Sequence, residues 1–186
     1  MIPVRAVRTI VAAAGLALAI PVPASGQTVA ITGATVHPIS GPSVEDATVL
    51  VRDGRIAAVG REVEIPDGAE RIDASGQVVT PGFIDVGSTL GLVEVGAVAD
   101  TRDYAMSEPD PIRAAFDVVD GINPNSSLIP INRLRGVTTA LTSPAGGLIA
   151  GQAALIDLAG AHVSDLLVLP KAAMAASFDP ADAGGA

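Results

Sequence analysis

Short runs of alternating apolar and polar residues, separated by turn residues, fill the region from 28 to 80. The clearest is "ATVLVRDGRIAAVG", in which Asp53-Gly54 separates two alternating segments. A period of two is typical of half-buried strands, and Asp-Gly between two such runs is typical of a two-residue hairpin turn. Residues 27–80 are therefore predicted to form a small β-rich domain of five or six strands.

The pattern changes after this region. An apolar strand is predicted over residues 78–86, a helix in "IPINRLRG" and a strand in "VTTALTSP". The order of strand, helix and strand favours a βαβ unit with parallel strands. "QAALIDLAG" and "DLLVLP" are further apolar runs that periodicity alone does not assign.

One more helix is predicted over residues 110–121, "DPIRAAFDVVDG". Asp110 is a suitable N-cap, Pro111 suits the first helical position and Gly121 is a suitable end. The apolar residues of this segment share one helical face: Ile112, Ala115, Phe116 and Val119.

The first 26 residues have the pattern of a secretory signal peptide. Arg5 and Arg8 precede an apolar run over residues 9–20, and Ala24 to Gly26 forms a small-x-small cleavage site. The run is too short for an ordinary membrane span. We therefore expect a protein exported to the periplasm or secreted, cleaved near Gly26, with no stable membrane insertion. An uncleaved anchor is the alternative.

Composition narrows the possible partners. The formal net charge is −9, which argues against nucleic acid or an anionic membrane surface as a partner. Aromatic residues make up 2% of the chain, so the core must be built from Ala, Val, Ile and Leu. There is no cysteine, which excludes disulfides and a thiol nucleophile.

Three features together resemble the metal-dependent amidohydrolase superfamily, in particular its imidazolonepropionase-like and dihydroorotase-like members. They are the Asp-Gly hairpin, "IDASGQVVTPGFID", and "GVTTALTSP" about fifty residues later. The resemblance covers roughly residues 28–170. It implies a small β-sandwich, the composite domain of the family, beside a (β/α)8 barrel whose chemistry lies at the carboxyl ends of the strands.

The resemblance also implies an Asp-x-His-x-His motif at the end of the first barrel strand, where both imidazoles bind one metal, typically zinc. Here Asp85 is kept, but Gly87 and Thr89 stand at the two histidine positions. Glycine has no donor atom, and a threonine hydroxyl is a poor zinc ligand. The remaining histidines, His37 and His162, are interpreted as structural residues. We therefore predict no metal and no cofactor for this chain.

Other candidate residues are less specific. Arg102, Asp103 and Glu108 lie in a polar loop at the level of the implied active face and could contact a ligand. Catalysis by Asp85 and anion binding by the glycine-rich "SPAGG" turn are alternatives to purely structural roles.

The predicted fold class is mixed β and α/β. Residues 81–175 are expected to form the first βα units of an incomplete barrel, followed by a disordered tail over 176–186. A complete barrel needs about 250 residues. We therefore expect a fragment or truncated product that lacks the later family ligands and self-associates or aggregates when expressed alone.

Three functions remain open at this point. The first is an exported hydrolase of non-peptide carbon–nitrogen bonds whose metal site is degraded and which is expected to be inactive. The second is a non-catalytic protein that binds a small amide or cyclic amide on the same scaffold. The third is a non-functional fragment.

Overall fold

The computed structural model describes residues 27–105 and 110–179. The predicted signal peptide, Glu108 and most of the predicted tail lie outside these residues. The chain divides into two compact units, of which the first ends at Val79 and the second begins at Thr80. Within the described residues, no helix has the length and apolar character needed to cross a membrane.

The first unit is one five-stranded sheet. Its strands are β1 (Thr28–Val36), β2 (Val44–Arg52), β3 (Arg55–Gly60), β4 (Glu70–Asp73) and β5 (Val78–Val79). The central strand β1 pairs antiparallel with β2 and parallel with β4 and β5, while β2 and β3 form an antiparallel hairpin. The predicted β-rich domain is confirmed as a sheet, while its completion to a sandwich stays a prediction.

The hairpin turn lies where the sequence predicted it. Arg52 pairs with Arg55, and the two residues between them have positive φ, 53° at Asp53 and 71° at Gly54. Two positive φ angles define the type I′ turn, whose twist matches that of the flanking strands. Because aspartate tolerates and glycine favours this region, the Asp-Gly pair determines the register of β2 against β3.

The core of the first unit consists of small and β-branched side chains, as the low aromatic content required. Its buried members are Ala34, Val36, Ala47, Val49 and Ala74. Each contributes little buried area, so this unit depends strongly on its backbone pairing.

The described part of the second unit contains four strands: β6 (Phe83–Ser88), β7 (Val137–Thr142), β8 (Ile149–Asp157) and β9 (Leu167–Ala176). It also contains two short α-helices, α1 (Leu128–Arg133) and α2 (Val163–Leu166), and 3-10 turns at Ala99–Thr101 and Val118–Gly121. The sheet order is β6-β7-β8-β9. Its core is larger, with Leu92, Val118, Ile156, Leu158 and Leu166 each at most 1% exposed.

β6 and β7 are parallel and are connected through α1, so the predicted βαβ order is confirmed for this pair. β8 and β9 follow as antiparallel strands and do not add further parallel βα units. The four strands therefore do not confirm the barrel, which stays an expectation from the family resemblance. The last strand reaches Ala176, the first residue of the predicted tail.

The predicted helix over 110–121 is wrong. Asp110 does accept a hydrogen bond from the backbone of Ile112 at 2.8 Å, as a cap would, but only Val118–Gly121 forms a 3-10 turn. The preceding backbone is bonded to β8, with Arg113 N donating to Ile149 O at 2.8 Å. A parallel bridge joins Asp117 to Gln152. Because donors and acceptors of this segment are used by a distant strand, they are not available for a helix.

Candidate functional site

Of the three positions that the family resemblance assigns to a metal motif, Asp85 and Gly87 lie within β6 and Thr89 directly follows it. Asp85 pairs with Ala140 and is half-buried, Gly87 is exposed, and Thr89 follows the last residue of the strand. The carboxylate Oδ1 of Asp85 accepts a hydrogen bond from Gly87 N at 3.1 Å. This bond lies inside β6, where the pairing with β7 is irregular between Asp85 and Ser88. The geometry therefore gives Asp85 a local structural role.

Position 87 has room for a side chain larger than glycine. A Cβ at Gly87 would meet no heavy atom within 4 Å, and the φ of this residue lies outside the left-handed region. A side chain at this position would neither clash nor strain the backbone. Glycine therefore supplies no donor atom at a position where the fold has room for one.

The two histidines lie elsewhere. His37 Nδ1 is hydrogen-bonded to Ser43 Oγ in the first unit. His162 precedes α2, and its backbone N–H donates to Asp165 Oδ2 at 3.0 Å. Within residues 27–105 and 110–179, histidine and carboxylate side chains form no group of three or more that could hold a metal ion. The described residues therefore do not fit the zinc centre that the family resemblance implies.

The loop after β6 folds back on itself. Val93 and Arg102 form an antiparallel bridge, and Asp103 N donates to Leu92 O at 2.7 Å. Arg102 is half-buried, and its Nε has no hydrogen-bond partner among the described residues. Asp103 is exposed and lines a cleft. Of the three predicted loop residues, Glu108 lies outside the described part of the chain.

This cleft is a cavity of about 520 Å3 that opens beside the loop. Its lining contains three carboxylates and one aromatic ring and consists of Asp103, Ala105, Ala115, Phe116, Asp117, Asp120 and Gly121. Asp117 Oδ1 accepts from Val119 N at 3.0 Å, and its Oδ2 lies 3.8 Å from Lys171 Nζ. Sequence reasoning found Asp103 but missed Asp117 and Asp120, because a helix over 110–121 gave no reason to place them beside the loop.

The buried side chain of Arg113, which was not among the predicted site residues, is hydrogen-bonded to the "SPAGG" turn after β7. Arg113 is 8% exposed, and its Nη2 donates to the carbonyls of Ala145 and Gly146. In a trans peptide the next N–H points opposite to each carbonyl. The N–H groups of Gly146 and Gly147 therefore point away from the guanidinium, and the geometry does not assemble an anion cradle around Arg113.

Comparisons with known proteins find relatives of two kinds in sequence. Over 150 residues, the chain is 30% identical to dihydroorotase from Mycobacterium tuberculosis, a match that covers 69% of this chain and 35% of that enzyme. It is 40% identical over 64 residues to imidazolonepropionase from Staphylococcus aureus, covering 34% of this chain and 14% of that protein. No protein-family model matches the chain.

A solved structure supports the same relationship. The crystal structure of an amidohydrolase from Thermotoga maritima superimposes with a TM-score of 0.70 at 31% identity, covering 78% of this chain and 38% of that one. The chain thus spans little more than a third of the length of these relatives, which fits an N-terminal portion. These relatives in sequence and in structure place the chain in the amidohydrolase superfamily.

Proposed function

We propose that this chain is an exported amidohydrolase-superfamily protein whose first motif lacks its two metal-binding histidines. It catalyses little or no hydrolysis by itself. The family relationship suggests non-peptide carbon–nitrogen bonds as the ancestral target. The main support for this loss of metal ligands comes from β6. Gly87 offers no donor atom there, and the carboxylate of Asp85 accepts a hydrogen bond from the backbone N–H of Gly87. A zinc-bound water needs three protein ligands to hold the ion, and the described residues assemble no such group.

The test compares metal content and hydrolysis in two double variants. Gly87→His with Thr89→His restores the ligand types of the motif, and Gly96→His with Val98→His places the same spacing in an exposed loop. A Cβ at either glycine would lie in open space, so neither substitution is excluded sterically. We expect the first variant to retain more zinc than the control, while hydrolysis of dihydroorotate stays at background in both.

Two results with the wild-type chain would contradict the proposal. Stoichiometric zinc in the purified wild-type protein that disappears on Thr89→Ala would overturn the proposal. Measurable hydrolysis of a cyclic amide by the wild-type chain that a chelator abolishes would overturn it as well. Elemental analysis and a substrate-depletion assay give both readouts.

Export is part of this proposal and has its own experiment. Expressed with its N-terminal segment in a bacterial host, the chain is expected in the periplasm or medium with a new N-terminus at Gln27. Leu16→Arg interrupts the apolar run of residues 9–20 and should retain the uncleaved chain in the cell. Recovery of wild-type protein that still begins at Met1 would contradict cleavage near Gly26.

The second candidate is a binding protein for a small amide or cyclic amide, and the cavity beside Asp103 favours it. Carboxylates of Asp103 and Asp120 can accept hydrogen bonds from ligand N–H groups, and Phe116 supplies an apolar wall. Calorimetric titration with hydantoin should show binding that Asp120→Asn weakens. Asp100→Asn, an exposed aspartate that does not line the cavity, is the matched control and should leave binding unchanged. Equal loss in both variants, or no heat with wild type, rejects this candidate.

A further inference from the structure

The proposed cleavage makes Gln27 the first residue of the exported chain, and the side chain of this residue has a defined contact. Gln27 is exposed and directly precedes β1, which begins at Thr28. Its Nε2 donates a hydrogen bond to Glu70 Oε2 at 2.7 Å. The side-chain amide nitrogen of the new N-terminal residue therefore lies beside a carboxylate.

This contact follows from the pairing of two strands. Glu70 is the first residue of β4, which runs parallel to β1 with Glu70 opposite Val29. Paired strands lie about 4.8 Å apart, a distance that a glutamine or glutamate side chain can span. The register of the first sheet thus brings the Glu70 carboxylate within reach of the Gln27 amide.

An N-terminal glutamine can close a five-membered lactam, pyroglutamate. The α-amine nitrogen attacks Cδ of the side-chain amide, the bond between Cδ and Nε2 breaks, and the proton that the amine loses leaves with Nε2 as ammonia. An α-amino group ordinarily has a pKa of about 7.7–8.0, so a fraction of it is neutral and nucleophilic near neutral pH. Because the amine and the amide belong to one residue, the reaction needs no second reactant.

We propose that Gln27 of the exported chain cyclises to pyroglutamate and that the Glu70 carboxylate carries the proton to the leaving Nε2. This inference rests on the cleavage before Gln27, which is part of the proposed function. A proton carrier must lie within hydrogen-bond reach of the atom that receives the proton, and the distance of 2.7 Å between Oε2 and Nε2 meets that condition. Glu70 takes up the proton that the attacking amine loses and gives it to Nε2, so the carboxylate is unchanged at the end.

Cyclisation protects the central strand of the first sheet. β1 pairs with β2 on one side and with β4 and β5 on the other, and its first pair joins Thr28 to Arg52. An aminopeptidase acting on a free N-terminus would remove the start of this strand first. The lactam has no free α-amine for such an enzyme, and it keeps the peptide N–H of Thr28. The modification therefore suits a chain that works outside the cell.

Intact mass spectrometry of the exported protein tests the modification. After expression of the whole chain in a bacterial host and storage at neutral pH, we expect a mass lower than that of residues 27–186 by one ammonia. Gln27→Asn keeps a side-chain amide but would have to close a strained four-membered ring, so this variant should keep its ammonia. A mature chain that starts with uncyclised Gln27 overturns this inference and leaves export intact. A chain that starts at any other residue contradicts the proposed cleavage and the inference together.

A second measurement isolates the role of Glu70 and does not depend on export. The chain is released from an N-terminal fusion by a protease that cuts before residue 27, and loss of ammonia is followed with time at neutral pH. Glu70→Gln keeps an oxygen that accepts from Nε2 but cannot carry a proton, so we expect cyclisation several-fold slower than in the wild type. Glu64→Gln removes an exposed carboxylate outside β4 and should cyclise at the wild-type rate. Equal rates in all three chains, or no loss of ammonia from the wild type, overturn the proposal.

Discussion

The two sheets of this protein differ in how far along the chain their strands find partners. In the first unit, β1, β2 and β3 follow one another as antiparallel neighbours, and Asp53-Gly54 joins the last two. In the second unit, β6 pairs with β7 across the whole segment from 89 to 136. The β2–β3 hairpin of the first sheet is therefore encoded by local turn chemistry, although β4 and β5 join β1 from a distant part of the chain. In the second sheet, β7, β8 and β9 are neighbours in sequence order, whereas the β6–β7 pair depends on hydrogen bonds between distant segments, and the apolar core is larger.

This difference predicts which substitutions lower the free energy of unfolding most. Ile156→Ala on β8 removes a side chain that is 0% exposed from the core of the second unit and should cost about 2–5 kcal/mol of unfolding free energy. The matched Ile72→Ala on β4, where the side chain is 45% exposed, should cost about 1 kcal/mol or less. Hydrogen exchange of strand amides in each unit measures both. Equal losses of protection would remove the contrast between the two cores.

Arg113 tests the long-range contacts of the second unit. Arg113→Ala leaves the carbonyls of Ala145 and Gly146 without their donor and should cost about 2 kcal/mol. Because Arg135 is exposed, Arg135→Ala is the control and should change stability little. Urea unfolding followed by the fluorescence of Tyr104 reports on the second unit, since the chain has one tyrosine and no tryptophan. If Arg113→Ala unfolds at the same urea concentration as Arg135→Ala, the hydrogen bonds of Arg113 to Ala145 and Gly146 contribute nothing measurable to the free energy of unfolding.

The hairpin turn gives a smaller effect in the first unit. Gly54 has a φ of 71°, so Gly54→Ala should cost about 1 kcal/mol through backbone strain alone, because nothing lies within 4 Å of its added Cβ. Gly87→Ala has equally open space without positive φ and should be neutral or slightly stabilising. Amide exchange of β2 and β3 measures the first, and Tyr104 fluorescence the second. A neutral Gly54→Ala would show that the turn does not depend on glycine.

The smallest effect concerns acid stability at Asp73. The Ser75 hydroxyl, 2.6 Å from Oδ1, and then the Ser75 N–H lower the pKa of this carboxyl. A lowered pKa stabilises the fold above the ordinary aspartate pKa of about 3.9, and the contribution is lost as the pH falls through the lower folded value. Ser75→Ala should move the pKa of Asp73 upward in an NMR titration, and Ser43→Ala should not. An unchanged titration in Ser75→Ala would assign the lowered pKa to another cause.

In the candidate site, as in the fold, some features depend on local sequence and others on pairing between distant segments. The sequence predicted one strand over 78–86, whereas the structure divides this segment into β5 (Val78–Val79) of the first unit and β6 (Phe83–Ser88) of the second, so only the strand around Asp85 follows from local features. The cleft does not follow, because Asp117 and Asp120 reach Asp103 only when the 111–117 backbone is paired with β8. Capping residues and apolar spacing predicted a helix there, and the long-range pairing outweighed that local preference.

By itself, the sequence determined the strands of the first unit, its Asp-Gly turn and the absence of a donor atom at residue 87. Each depends on residue type at neighbouring positions, where backbone conformation and donor chemistry are intrinsic to the residue. Only the tertiary structure decided that residues 111–117 lie along β8, that Arg113 holds the turn after β7, and that β6 pairs in parallel with β7. These features depend on which distant backbone groups satisfy one another, and no local pattern records that choice.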